Sequence, residues 1–155
     1  MIEAFAPLQL VSGVRETLEQ LKQAGLRLIA ISGTLDVMLN TVYPGHPFEE
    51  VYAHPVGFDE RGAISHWRAT PFDMSGKAQA LRSVALREGI PLSRCAFVGD
   101  SSNDTWVAQV AGRPVAFNPD CEELARLASA VVRSDDLRAI RPHLLPGSPT
   151  GKDDL

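Results

Sequence analysis

Apolar residues along the chain alternate between helical spacing and short continuous runs. From Ser12, apolar positions recur every three or four residues until Gly25, which predicts a first helix. The apolar run over 26–31 then predicts a largely buried strand. The alternation continues, with helices predicted over 35–42, from Ser75 until Gly89, over 103–111, over 122–128 and from about Asp135, and strands over 48–54, 95–98, 115–117 and 130–132.

Strands that are separated by helices predict the fold class. Such strands pair in parallel through right-handed crossovers. We therefore expect one α/β domain over 1–145, with a doubly wound, mostly parallel, Rossmann-like sheet and a small β-hairpin over 57–67. The last residues, 146–155, offer little apolar surface to bury and are expected to be a disordered tail. In folds of this class, ligands bind beyond the carboxyl ends of the strands.

Composition narrows the function classes. The chain has 155 residues, a net charge of −4 and no cluster of Lys or Arg, which argues against a nucleic-acid partner. It has no uncharged apolar stretch of about 18 residues, so we expect no membrane-spanning segment. Two cysteines, Cys95 and Cys121, are too few for a disulfide framework, and they favour a cytoplasmic protein with reduced thiols.

The strongest chemical signal is the segment from Gly99 to Asp104, which follows a predicted strand and opens the next helix. Asp100 and Asp104 can face the same space there. Two carboxylates ~4 Å apart repel by about 4 kcal/mol at an effective dielectric constant of ~20, so the arrangement favours a bound cation. Mg²⁺ prefers such oxygen ligands. The alternative is that residues 102–104 only cap the helix.

Two weaker signals fall at the same edge of the predicted sheet. Ser32 and Gly33 follow the strand predicted over 26–31, where a hydroxyl and free backbone N–H groups suit a phosphate oxygen. Lys77 is in the first turn of its helix, where the helix dipole favours negative groups, and this makes it a candidate anion ligand. The alternatives are a serine that caps a helix and a solvated lysine.

Taken together, Ser32-Gly33, Lys77 and Gly99-Asp100 through Asp104 resemble motifs two, three and four of the haloacid dehalogenase-like (HAD) hydrolases. Longer segments such as GKAQALRSVALREGIP and AFVGDSSNDTWVAQVAG are similar to the phosphoserine phosphatase branch, and the resemblance covers about 12–144. It implies Mg²⁺-dependent hydrolysis of a phosphate monoester through an aspartyl-phosphate. The roles that it implies are phosphoryl binding by Ser32 and Gly33, charge neutralisation by Lys77, Mg²⁺ binding by Asp100 and Asp104, and substrate positioning by Asn103.

The sequence departs from this family at its first motif, an Asp-x-Asp pair after an amino-terminal strand. The acidic residues before Asp36 are Glu3, Glu16 and Glu19, and none of them ends an apolar strand. The resemblance therefore implies a core without the nucleophile, the general acid/base and the cap domain. It also implies a sheet without its usual first central strand, which leaves a slot of about 10 Å. The chain's own residues 2–11, a strand from another chain or a second copy, or collapse of the neighbouring strands would fill that slot.

These observations leave three functional hypotheses. The first is the carboxyl-terminal core of a phosphatase for a small phosphorylated metabolite, either a fragment or one half of a split enzyme whose other half carries the nucleophile, and inactive until it is complemented. The second is a non-catalytic subunit that binds Mg²⁺ or phosphate, or that serves in interactions. The third is a degenerate chain in which the motifs persist only as helix caps at strand ends.

Overall fold

The computed structural model describes residues 8–145, and helices alternate with strands along them. The helices are α1 (Val14–Gln23), α2 (Asp36–Val42), α3 (Ser75–Glu88), α4 (Thr105–Ala108), α5 (Glu122–Leu127) and α6 (Arg141–Leu144). The strands are β1 (Ile29–Leu35), β2 (Glu50–His54), β3 (Val56–Phe58), β4 (Ile64–Trp67), β5 (Ala96–Gly99), β6 (Arg113–Phe117) and β7 (Ala130–Val132). Turns of 3₁₀ helix occupy Leu92–Arg94, Ser102–Asp104 and Leu137–Ile140.

The strand pairing confirms the α/β class with parallel strands. Strand β1 pairs with β2 in parallel, and β5, β6 and β7 form a parallel three-stranded sheet in that order. Strands β3 and β4 form the predicted antiparallel hairpin. Each parallel pair is joined by a segment that contains a helix, as parallel pairing requires.

One apolar core serves both parallel sheets. Its buried members come from α1, from the strands and from the carboxyl-terminal turns, and they are Leu21, Leu28, Val115, Phe117, Val132, Ile140 and Leu144. Leu28, which leads into β1, lies in the same cluster as Val115 of β6, so the two sheets share one apolar core. Burial of each such side chain contributes roughly 1.5–3 kcal/mol.

The sheet is nevertheless divided between β1 and β5. Within residues 8–145 no ladder of backbone hydrogen bonds joins these two strands. The burial of the strands reflects this division. No residue of β1 is fully buried, whereas residues 114–117 of β6, which is paired on both edges, all are. Each of β1 and β5 therefore has one unpaired edge in this part of the chain, as the family resemblance implied for a sheet without its central strand.

Strand β1 corrects a predicted boundary. The sequence predicted a strand over 26–31 that ends before Ser32, but β1 continues to Leu35 and α2 begins at Asp36. The pairing jumps from Ile31 opposite Tyr52 to Leu35 opposite His54, so the intervening residues form an irregularity in β1. Bulges of this kind keep the chain extended while releasing residues from the ladder. Ser32 and Gly33 therefore lie within the strand rather than at its end.

A second correction concerns the helix predicted over 103–111. A 3₁₀ turn, Ser102–Asp104, takes its first residues, and α4 covers only Thr105–Ala108. The helical spacing predicts that Trp106, Val107 and Val110 face the core, and Val107 is indeed buried, but Trp106 is 49% exposed. The helix predicted from about Asp135 is a 3₁₀ turn, Leu137–Ile140, that leads into α6.

The predictions for the two chain ends fall largely outside the described residues. Residues 1–7, most of the segment that was considered as a filler of the slot, are not described, and neither is the predicted tail, 146–155. Among the helices in residues 8–145, none combines the length and the apolar character that crossing a membrane requires.

Candidate functional site

Lys77 lies at the centre of the candidate site. It is in the first turn of α3 as predicted, but it is buried, with 6% of its surface exposed. Its Nζ donates to Asp104 Oδ1 at 2.5 Å and to Asn103 Oδ1 at 3.2 Å. A buried ammonium group needs such partners, since an unpaired buried charge is strongly destabilising. The interpretation of Lys77 as a solvated side chain is therefore wrong.

Asp104 ties the loop after β5 to Lys77. Its side chain is almost fully buried, and its Oδ2 accepts hydrogen bonds from the backbone N–H groups of Asp100 at 2.9 Å and Ser101 at 3.2 Å. A Cβ at Gly99 would lie 2.5 Å from Asp104 Oδ2, so only glycine allows this close approach. Because both oxygens of Asp104 already have partners, this carboxylate is chiefly a support for Lys77 and for the loop.

The environment of Asp100 differs from that of the buried Asp104. It follows β5 and is exposed, and its pKa is raised by desolvation and by the negative charges of Asp104 and Asp120, while Lys77 opposes that rise. The Asp120 N–H also donates to the Asp100 carbonyl oxygen at 2.8 Å, which places the two loops side by side. A cation beside Asp100 would offset this repulsion.

These oxygen donors fit a hard divalent ion. Within residues 8–145, no three His, Cys, Asp or Glu side chains are arranged to hold a metal ion. The chain would therefore contribute one or two carboxylates, which is the usual protein share of a Mg²⁺ site that also holds water and phosphate. Asp120 was not singled out in the sequence, although it follows β6 at the same sheet edge as Asp100.

Asn103 connects Lys77 to a residue that sequence analysis missed. Asn103 Oδ1 accepts from Lys77 Nζ and from Ser101 Oγ, the latter at 2.5 Å, and Asn103 Nδ2 donates to Asp73 Oδ1 at 3.0 Å. The Asp73 carboxylate lies 3.4 Å from where a Cβ on Gly33 would be. Asp73 thus links β1 to the loop after β5. No sequence signal distinguished it, because it precedes a helix as many capping residues do.

Ser32 is less closely tied to this group. Its Oγ donates to Thr34 Oγ1 at 3.1 Å and accepts from the Thr34 N–H at 3.2 Å, a local turn within β1. In the described chain its hydroxyl makes no hydrogen bond to Lys77 or to Asp100. The structure thus brings Lys77, Asn103, Asp104 and Asp100 together and places Gly33 beside them through Asp73.

The arrangement suits a phosphoryl group. Lys77 has three N–H donors and uses two of them within the site, which leaves one for a ligand. A fixed ammonium group beside a carboxylate cation site can stabilise the charge that develops during phosphoryl transfer. The same pairing also suits simple binding of a phosphate and a divalent ion.

Comparison with known proteins identifies the family that this chain resembles. The family model for haloacid dehalogenase-like hydrolases matches residues 1–112. A phosphoserine phosphatase from Mycobacterium tuberculosis is 30% identical over 121 residues, which are 76% of this chain and 29% of that protein. The chain also spans only 38% of the length of a phosphoserine phosphatase from Archaeoglobus fulgidus.

Solved structures show the same fold. A phosphoserine phosphatase in its apo form superimposes with a TM-score of 0.77 and 25% identity, covering 89% of this chain and 68% of its own. A 3-deoxy-D-manno-octulosonate 8-phosphate phosphatase from Moraxella catarrhalis, solved with a magnesium ion and a phosphate ion, has a TM-score of 0.57. It is 22% identical, and the match covers 76% of this chain and 56% of that one.

Proposed function

Because the chain belongs to the haloacid dehalogenase-like hydrolases, we propose that it is the phosphate-binding core of a Mg²⁺-dependent phosphatase that acts on a small phosphate monoester. The observation that carries this proposal is the buried Lys77–Asp104 pair beside Asp100 and Asn103. The similarity to phosphoserine phosphatases favours phosphoserine or a related phosphorylated metabolite as the substrate.

The residues divide the proposed work among them. Lys77 neutralises charge on the phosphoryl group, Gly33 and Ser32 offer donors to its oxygens, and Asn103 positions the substrate. Asp100 holds Mg²⁺, with Asp104 supporting it through the shared loop. The ion would supply positive charge at the phosphoryl oxygens, as it does in phosphoryl transfer generally. The magnesium-bound phosphatase among the structural neighbours supports this choice of ion.

The nucleophile of this reaction is not among the 155 residues, which contain no Asp-x-Asp pair. We propose that a strand from a second chain that carries such a pair enters the gap between β1 and β5 and brings the carboxylate with it. The unpaired edges of these strands offer the backbone hydrogen bonds that such β-augmentation uses. Alone, the chain should be nearly inert, because loss of a nucleophile costs several powers of ten in rate.

The alternative function is a non-catalytic subunit that binds Mg²⁺ and phosphate. The same missing Asp-x-Asp pair favours it, because the binding residues remain while the reacting group does not. Under either function we propose a cytoplasmic location, which the two free thiols Cys95 and Cys121 favour.

Calorimetry tests the binding that both functions share. Mg²⁺ and inorganic phosphate are titrated into the chain, into Asp100→Ala and into Asp135→Ala, a control that removes the same charge from an exposed residue outside the site. We expect Asp100→Ala to abolish Mg²⁺ binding and Asp135→Ala to leave it unchanged. If the parent chain binds neither Mg²⁺ nor phosphate, both functions are contradicted and a degenerate chain is favoured.

A phosphatase assay separates the two functions. Phosphoserine and p-nitrophenyl phosphate are offered with Mg²⁺ to the chain alone and to the chain mixed with the product of the neighbouring gene. The proposed phosphatase predicts turnover only in the mixture, and loss of that turnover in Lys77→Ala. Tight binding of Mg²⁺ and phosphate without turnover in either sample would instead support the binding subunit.

A further inference from the structure

Neither the family motifs nor the proposed function gives a role to Asp73, although its carboxylate accepts a hydrogen bond from Asn103 in the site. We propose that Asp73 is a positioning residue: it fixes which way the Asn103 side-chain amide faces and thereby aims Lys77 at the bound phosphate. The last step rests on the proposed function, whereas the orientation of the amide does not.

The hydrogen bonds of Asn103 allow only one orientation of its amide. Asp73 Oδ1 accepts from Asn103 Nδ2 at 3.0 Å, and Asn103 Oδ1 accepts from Lys77 Nζ at 3.2 Å. An ionised carboxylate can only accept and an ammonium group can only donate. A reversed amide would place its NH₂ group against the Lys77 ammonium and its oxygen against the Asp73 carboxylate. Asp73 therefore selects the orientation that Lys77 requires.

The backbone around Asp73 holds it in place. Asp73 Oδ1 also accepts from the Met74 N–H at 2.9 Å, and Met74 has a positive φ of 45°, which is unusual for a residue other than glycine. A Cβ at Gly76 would lie 1.1 Å from the Pro71 carbonyl oxygen, so the turn before α3 closes only with glycine there. Strained turns persist where the surrounding structure fixes them.

The orientation matters because Lys77 has few free donors. Asp104 and Asn103 accept two of its three N–H groups, and these two bonds fix the direction of the third. If the Asn103 amide rotates, only the bond to Asp104 remains, and the free donors of Lys77 lose their fixed direction. Asp73 is exposed and sits beside Gly33, so it controls this direction from the β1 side of the site.

Three variants test the proposal. Asp73→Asn keeps a carbonyl oxygen that can accept from Asn103 and from Met74. Asp73→Ser keeps a hydroxyl that can cap the start of α3 but is too short to reach Asn103. Asp135→Ala removes an exposed acidic side chain elsewhere and serves as the charge control. Each is studied as the full chain, with its melting temperature recorded.

Two readouts are used. The first is the exchange rate of the Asn103 side-chain amide protons in NMR spectra, whose signals are assigned by comparison with Asn103→Ala. The second is the affinity for inorganic phosphate with Mg²⁺ present. In Asp73→Ser we expect the amide protons to exchange at least about tenfold faster and phosphate to bind about tenfold more weakly, the order of one lost hydrogen bond to a charged group. In Asp73→Asn the amide exchange rate and the phosphate affinity should both stay within about threefold of the parent chain, and Asp135→Ala should change neither.

Unchanged amide exchange in Asp73→Ser would overturn the proposal, because Asp73 would then only cap α3. Fast exchange of the Asn103 amide protons in Asp73→Asn would overturn it as well, since holding the amide would then need the negative charge of Asp73 and not only a hydrogen-bond acceptor. Altered amide exchange with unaltered phosphate affinity would refute the link to Lys77. If the parent chain binds no phosphate, the proposed function fails while the amide readout still decides the orientation.

Discussion

The two sides of the candidate site are held very differently. On the β5 side, Asp104 accepts from Lys77 and from two backbone N–H groups, and the neighbouring strand β6 is almost completely buried. On the β1 side, the Ser32 hydroxyl bonds only within its own turn as far as residues 8–145 show, and no residue of β1 is fully buried. Buried polar groups with all their partners hold a loop in one geometry, whereas local hydrogen bonds at a half-exposed strand do not.

This difference indicates which part of the site is fully packed by the described residues and which part is not. The β5 side carries its own supports, so it should keep its geometry in isolation. The β1 side meets the rest of the site through the contact of Asp73 with Gly33 and through the helix α3 that packs on it. An added strand between β1 and β5 would pair both open edges and bury the half-exposed side chains, which is why we place the missing nucleophile there.

The largest expected effect is the loss of Lys77. In Lys77→Ala, the carboxylate of Asp104 stays buried without its cation, and we expect the free energy of unfolding to fall by about 3–5 kcal/mol. Ser32→Ala, the matched change on the β1 side, should cost less than about 0.5 kcal/mol, because among the described residues its hydroxyl bonds only to Thr34. Urea unfolding of both variants measures the difference. Equal losses would mean that the two sides are held alike.

Hydrogen exchange should show the same asymmetry along the backbone. We expect the amides of β1 to exchange at least about a hundredfold faster than those of β6, because β1 can open locally while β6 opens only with the core. Amide exchange followed by NMR on the unmodified chain measures both strands in one sample. Equal protection of β1 and β6 would argue against an open edge, and a complementing strand should slow exchange in β1 most.

The smallest expected effect concerns the charge of Asp100. Its pKa is raised in the folded chain, so the folded state holds this proton more tightly than the unfolded state does. The contribution of Asp100 to stability therefore falls as pH rises from below the ordinary value of 3.8 through the raised one. At pH 7 Asp100→Asn should melt about 1 °C higher than the parent chain, and the gain should vanish below pH 3.8.

Asp135→Asn provides the control for that measurement, since it makes the same chemical change at an exposed residue outside the site. Mg²⁺ sharpens the comparison, because a cation at Asp100 should raise the melting temperature of the parent chain and not that of Asp100→Asn. A gain in Asp100→Asn that persists at low pH would show that the ionised carboxylate is not its source.

The element order could be read from hydrophobic periodicity, and the parallel pairing and the hairpin followed from it. The sequence predictions failed where tertiary packing, rather than local sequence pattern, decides the position of a residue. Periodicity could not reveal that Ser32 and Gly33 leave the ladder within a continuing strand, nor that Trp106, unlike Val107, stays exposed. Lys77 was weighed as solvated because burial of a lysine depends on Asp104, a partner 27 positions away along the chain. Asp73 was missed because it precedes a helix, as many capping residues do, and because its partner Asn103 lies 30 positions away along the chain.

The most direct test is an NMR titration of the labelled chain with inorganic phosphate at saturating Mg²⁺, following the backbone amides of Gly33 and Asp100. If Gly33 within β1 and Asp100 after β5 line one site, both signals should shift with a single apparent dissociation constant, and Lys77→Ala should weaken both together. A response at Asp100 with none at Gly33, or two distinct constants, would contradict the account, because the two strands would then not share a ligand.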